Sequence, residues 1–245
     1  IERKEFMLYY QPIVNLSDGE VYGAEALLRW EHKERGVLLP NQFLKVLEQS
    51  GDINWVGFWA FEELVKQAEE MKFKTPDNKL LFSMNLSPKQ LINPVLAEEL
   101  RRIIKRHRIS PQDFCLEIIE FAMYEVNDVA VNNINDLKKI GFKIAIDNYG
   151  LEFSTLSIIE KLPVDIIKLD KRFLDSSREK LMLSSVLDMV VKYADERKIL
   201  LVAEGIEEEE FLSYLKDKGI GYGQGYYFSK PVDKKKIVNE VLLTS

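Results

Sequence analysis

Cysteine is nearly absent from this chain. Cys115 stands alone, so no internal disulfide can form, and a reducing cytoplasm is the expected compartment. No apolar run comes near the roughly 20 residues needed to cross a bilayer, and no signal-peptide pattern opens the sequence. No glycine-rich phosphate loop follows an apolar run, which argues against an open doubly wound sheet. Histidine is scarce: His32 and His107 lie beside no nucleophile motif and are expected on the exposed surface. A net charge of −6 argues against general binding of DNA or RNA. There is no linker, low-complexity tract or convincing internal repeat.

What remains is an ordinary folded composition, 46% hydrophobic and 30% charged over 245 residues. That length fits one domain over residues 1–245, large enough for a barrel of alternating strands and helices. The chain starts at Ile1 rather than Met, as expected of a domain excised from a longer protein whose other parts could attach to a membrane.

Apolar runs predict strands near 6–14, 20–30, 80–86, 114–119, 142–147, 164–169, 199–203 and 220–223. Helical segments are expected near 41–50, 53–72, 95–107, 127–140, 154–161, 179–197, 207–218 and 233–243. From Lys79 onward the two alternate, and runs such as LLFSM, FKIAI and ILLVA are near-continuously apolar, as parallel strands buried on both faces must be. The first two strands are joined only by Asn15–Gly19. So short a connection makes them antiparallel, because a parallel crossover needs a dozen residues or more. The pattern predicts an α/β fold, a modified (β/α)8 barrel resembling a TIM barrel, with one strand opposed to the rest.

Polar groups recur at the ends of these strands: Glu25, Asn85, Glu117, Asp147, Lys168 and Glu204. In such a barrel the strand C-termini converge on the face that carries the chemistry. A lone carboxylate there is penalised by desolvation unless it is paired or bound to a cation. Any one of these residues reads as a structural ion pair or helix cap; six together point to a site. Oxygen donors without histidine favour magnesium or manganese over zinc. Asp147 could bridge two ions, with Asn148 lending an amide oxygen, or the pair could simply form a turn. Lys168 needs an anionic partner, for which Asp170 is the candidate nearest in sequence, and leaves a Schiff-base role open. Arg29, at even spacing from Glu25, suits a phosphate, although a pair with Glu48 would explain it nearly as well. Gln11 and Gln224 could read a nucleobase edge or satisfy barrel backbone. Cys115 reads as core, the run 101–108 as the solvated side of an amphipathic helix, and Trp55, Phe58 and Trp59 as core or a partner surface.

Taken in order, YYQPIV, YGAEALLRW, the segment around Pro40, NLSPKQL, LEIIE, IAIDNYG, LPVDIIKLD, VAEGIE and QGYYFSKP make the chain resemble the EAL domains along nearly its whole length. The resemblance implies a modified TIM barrel that hydrolyses the bacterial second messenger cyclic di-GMP to linear pGpG. It implies that Glu25, Asn85, Glu117, Asp147 and Asn148 hold divalent metal, with two Mg2+ or Mn2+ ions about 3.5–4 Å apart acidifying a shared water. Lys168 and Glu204 would position or activate that water, and Gln224 would organise the site. Arg29 would meet a phosphate, Gln11 would line the groove, and Glu120 would anchor the loop after the fifth strand.

The chain departs from the family in that loop. Asn148 replaces an aspartate, Leu151 and Glu152 replace a Thr-Gly pair, and Ile119 and Phe121 replace Thr and Ser. The expected outcome is a phosphodiesterase weakened at its second ion. The alternative is an inactive receptor for cyclic di-GMP; a protein-interaction scaffold that binds no nucleotide is a third possibility. An upstream sensory or signalling domain and a homodimer are the expected partners.

Overall fold

The computed structural model describes residues 5–75, 79–119, 127–150, 159–160 and 162–242. The chain begins with an antiparallel hairpin. β1 (Phe6–Asn15) pairs with β2 (Val21–His32) from Phe6 opposite Trp30 to Val14 opposite Val21. Gly19, at φ 80°, makes the turn, in a conformation that residues with a Cβ rarely adopt. From β2 the sheet runs through parallel pairs: β4 (Leu81–Leu86), β5 (Phe114–Ile119), β6 (Lys143–Tyr149), β7 (Ile166–Leu169), β8 (Leu200–Ala203) and β9 (Tyr222–Gly223). β9 then pairs with β1 antiparallel and closes the ring. The result is the eight-stranded barrel with one opposed strand that the sequence implies.

Two short strands were not foreseen: β3 (Gly36–Leu38) extends β2, and β10 (Val232–Asp233) adds to the edge of β1. Both are too short to carry a periodic signal.

The helices form where sequence and caps agree. They are α1 (Leu44–Ser50), α2 (Ile53–Lys74), α3 (Pro88–Leu91), α4 (Leu96–Lys105) and α5 (Asp128–Ile140), then α6 (Lys171–Glu179), α7 (Leu181–Arg197), α8 (Glu209–Asp217) and α9 (Lys234–Ile237). Ser87 and Gln90 cap each other around α3, Asn127 caps α5, and Asp233 caps α9. The helix expected over 179–197 is α7, and α6 before it was not foreseen. Asp170 starts α6 by accepting from the Arg172 amide, and an extended Lys180 separates α6 from α7. The expected helix at 154–161 lies almost wholly outside the described residues.

Strand side chains alternate between two environments. Ile118, Ile144, Ile146, Ile167, Leu169 and Leu201 belong to the large core shared with the helices, which Ile103 and Ile104 of α4 also join. Ile13, Leu81, Cys115, Ala145, Ile166 and Val202 form a separate apolar plug inside the barrel. The plug fixes the height at which the next inward residues emerge.

Candidate active site

On four of the parallel strands the inward side chain turns polar two residues beyond the plug. Cys115 is followed by Glu117, Ala145 by Asp147, Ile166 by Lys168 and Val202 by Glu204, and Leu81 by Asn85 four residues on. β1 runs the other way, so Gln11 precedes Ile13 and stands opposite Glu25 in register. All six groups expected at the strand ends therefore meet at one rim.

Lys168 is the hub. Its ammonium lies 2.9 Å from Glu25 Oε2, 2.8 Å from Glu117 Oε2, 2.9 Å from Glu204 Oε1 and 3.5 Å from Asp147 Oδ1. The local alternative, a bridge to Asp170, does not form, because Asp170 holds Arg172 and the start of α6. Asn85 donates to Glu25 Oε1 at 2.8 Å. Gln224 donates to Glu25 Oε2 at 2.8 Å and to Gln11 Oε1 at 3.0 Å, and Gln11 donates onward to the Ser229 carbonyl. Gln11 and Gln224 thus form one bracket tying Glu25 to the last loop, a link that no local pattern could reveal.

Arg29 is buried, donates to the Leu28 carbonyl at 2.9 Å and lies 5.6 Å over the Tyr9 ring. It forms no ion pair with Glu48 or any other described carboxylate. Asn148 occupies a bulge where three residues of β6 span two of β7, and it sits at φ 57°. Asparagine tolerates this left-handed conformation unusually well, and a bulge re-aims the side chain beside it. The Asn148 amide donates to Asp147 Oδ2 at 2.8 Å. Glu120, Phe121, Leu151 and Glu152 lie outside the described residues. The two histidines correct an expectation: both are half-buried, His107 against Glu69 at 3.3 Å and His32 against the Trp30 ring.

Four carboxylates surround one ammonium in a dry rim, leaving an excess of three negative charges if all ionise. Burial works against Lys168's charge, but the surrounding carboxylates outweigh it and hold the ammonium well above its ordinary pKa. Burial also opposes ionisation of Glu25. Lys168, Gln224 and Asn85 overcome it, so Glu25 lies below the usual carboxylate range. Glu117 and Asp147 are driven upward by burial and by Glu25. Glu204 is pushed up to about 8, first by burial and then by Asp147 and Glu25, against the pull of Lys168. Its side chain keeps 20% exposure against 1% for Lys168, so Glu204 faces the open side.

Such a set under-compensates its acids, and two of its acceptors, Asp147 Oδ1 and Gln224 Oε1, are buried without a hydrogen-bond donor. Among the described residues no three acidic side chains form a closed cage by themselves, since the ammonium occupies the centre. The donor chemistry nonetheless suits a hard divalent cation: hard oxygens, excess negative charge and unfilled lone pairs.

Two recesses flank the rim. One, of about 280 Å³, runs between β2, β4 and the helices α1 and α2, with Asn85, Asp147 and Asn148 at its rim end. The other, of about 300 Å³, is bounded by Gln11, Glu25, Glu204, Gln224 and Tyr226. The sequence reading missed the first recess, which forms only when α2 packs against β1 and β4. One local sign was Gly57 within a long helix, where a Cβ would collide with the Gln90 amide.

A closed barrel with one reversed strand and an acidic rim around a buried lysine defines a class of barrel proteins with a polar, oxygen-rich mouth. Within it the chain belongs to the EAL domain family, whose profile matches residues 1–231. It is 34% identical over 231 residues to an uncharacterized signaling protein of Caulobacter vibrioides, covering 94% of this chain and 28% of that protein. It is 31% identical over 242 residues to the probable cyclic di-GMP phosphodiesterase PdeG of Escherichia coli, covering 99% of this chain and 48% of PdeG. The solved PaMucR phosphodiesterase in complex with c-di-GMP superposes with a TM-score of 0.88 at 28% identity, covering 96% of this chain and 95% of that one. The chain thus spans half or less of the length of these two curated relatives. No helix among the described residues is long and apolar enough to cross a membrane.

Proposed function

We propose that this barrel is a metal-dependent cyclic di-GMP phosphodiesterase, opening the ring to linear pGpG. The observation that carries this reading is the assembly of Glu25, Asn85, Glu117, Asp147 and Glu204 about Lys168 at one rim. Membership of a family that includes PdeG, and the fold shared with a phosphodiesterase bound to c-di-GMP, support the same substrate. Recesses on both sides of the rim suit a ligand with a base at each end and phosphates between.

Glu25, Asn85, Glu117, Asp147 and the Asn148 amide oxygen are the residues that would hold Mg2+ or Mn2+. Bound there, the cation would lower the pKa of water and stabilise charge on the phosphate oxygens. The chain's own groups do the rest. Arg29 offers its uncommitted guanidinium nitrogens to a phosphate in a partly desolvated setting where charge-assisted bonds are strong. Lys168 keeps the acids apart and orients the water's lone pair. Glu204, on the open side with a raised affinity for protons, accepts the water's proton as its oxygen attacks phosphorus. One P–O3′ bond breaks, and the leaving oxygen takes up a proton from solvent. Gln224 and Gln11 hold Glu25 in place throughout.

Asn148 does not favour a receptor that binds without turnover. Its left-handed backbone accounts for an asparagine there, and the acids on both sides of Lys168 are in place. Part of the proposal is an attached signalling domain, since this chain covers only 28% of the Caulobacter relative and 48% of PdeG. Chromatography of cyclic di-GMP after incubation with the protein and Mn2+ tests the reading. Linear pGpG should form, and Glu25→Ala should abolish it; intact substrate after long incubation with the unaltered protein would refute it.

A further inference from the structure

We propose that the base of the barrel, at the end of α2, is a docking surface for an anionic lipid bilayer. α2 ends at Lys74 and the chain enters β4 at Leu81, a residue of the plug, so this end lies opposite the rim. Phe73 projects there with 88% of its surface exposed, more than any other large hydrophobic residue described. The acids beside it are engaged. Glu69 lies 3.3 Å from His107, Glu70 2.8 Å from Lys234 and Asp113 2.7 Å from Lys72. The cations are in surplus: Lys74, Lys79, Arg108 and Lys235 are exposed, and none forms an ion pair with a described residue. Lys74, Lys234 and Lys235 line one hollow of about 370 Å³ between α2 and α9, in which Glu70 is the only acid among the described residues.

Helix electrostatics accounts for only part of this pattern. Cations suit the C-terminal end of α2, where the backbone dipole is negative. Lys234, Lys235 and Lys236 instead open α9, at the end where the dipole favours acids, so they work against their own helix. On a chain of net charge −6 this positive excess is local. A single exposed Phe is ordinary on most surfaces. Set among unpaired cations it has the make-up of an interfacial anchor, an apolar wedge for the acyl boundary with lysines for the headgroups. A nucleic-acid strand fits less well, because Phe73 packs against no other described ring and a stacking platform needs several. Docked by its base, the barrel turns its rim away from the bilayer and leaves both recesses open to a dissolved ligand.

The test is co-sedimentation of the protein with vesicles of phosphatidylcholine alone and of equal parts phosphatidylcholine and phosphatidylglycerol. The wild type should bind the anionic vesicles at about 50 mM NaCl, leave them at about 500 mM, where salt screens the charges, and ignore the neutral ones. Lys74→Glu combined with Lys235→Glu should lower the partition coefficient by about 25-fold or more, since each surface cation contributes about fivefold. Phe73→Ser should lower it by about tenfold through the lost apolar contact. Trp55→Ser, which removes a 73% exposed ring from the other end of α2, should bind like the wild type. All four side chains are exposed, so thermal unfolding should stay unchanged. A wild type that fails to bind the anionic vesicles, or binds the neutral ones equally, overturns the proposal. Undiminished binding by the charge-reversed variant or by Phe73→Ser overturns it too. Tighter binding to single-stranded DNA than to vesicles, lost in the same variants, would replace the bilayer with nucleic acid. Hydrolysis of cyclic di-GMP is independent of every one of these outcomes.

Discussion

Inside this barrel two layers separated by two to four residues along the same strands do opposite work. The lower layer, with Leu81, Cys115, Ile166 and Val202, is dry and apolar. The upper layer, with Asn85, Glu117, Lys168 and Glu204, carries four carboxylates and one ammonium, buried at Lys168 and Glu117 and opening towards solvent at Glu204. A hydrophobic layer gains stability from removing apolar surface from water, whereas a buried ionic cluster mainly balances desolvation against attraction. The backbone is continuous through both, so the lower layer lends the upper one its geometry.

The comparison is broken most severely at Lys168. Lys168→Met leaves four carboxylates without their common partner and should destabilise the protein by about 3–5 kcal/mol in metal-free denaturation, with hydrolysis lost. Adding Glu117→Gln should recover part of the stability and none of the activity, separating charge balance from chemistry. In the plug, Leu81→Ala should lower stability by about 2–5 kcal/mol through lost burial and a cavity, while kcat of the folded fraction stays close to wild type. Urea denaturation and steady-state kinetics on the same preparations check both layers. The smallest effect is expected at Asn148. Asn148→Asp frees Asp147 Oδ2 from the amide donor and adds an anionic oxygen, so kcat should rise by up to about tenfold, while the strained bulge keeps the stability change under about 1 kcal/mol. No gain in kcat would assign any slowness to the loop beyond Gly150.

Much of the upper layer was legible because polar residues at the ends of apolar runs have few structural explanations. The fold was legible because runs such as FKIAI can only be strands buried on both faces, and because a five-residue link between Asn15 and Gly19 forces a reversal. What stayed hidden depends on contacts between distant segments. Nothing near Lys168 in sequence distinguishes Asp170 from four carboxylates on other strands as its partner. The Gln11–Gln224 bracket requires β1 to close the ring against β9. Glu48 could be read only as a partner for Arg29, because the recess it lines exists only after α2 packs against β1 and β4. β3 and β10 were too short for any pattern, and the start of α6 turns on the side chain of Asp170 rather than on hydrophobic spacing.

The account stands on the upper layer being a seat for divalent cations, and titration of Mn2+ followed by the solution EPR signal of the free ion tests it most directly. The wild type should remove Mn2+ from solution saturably, Leu81→Ala should do so equally while folded, and a Glu25→Ala, Glu117→Gln double variant should leave the ion free. Equal uptake by the wild type and the double variant would contradict it.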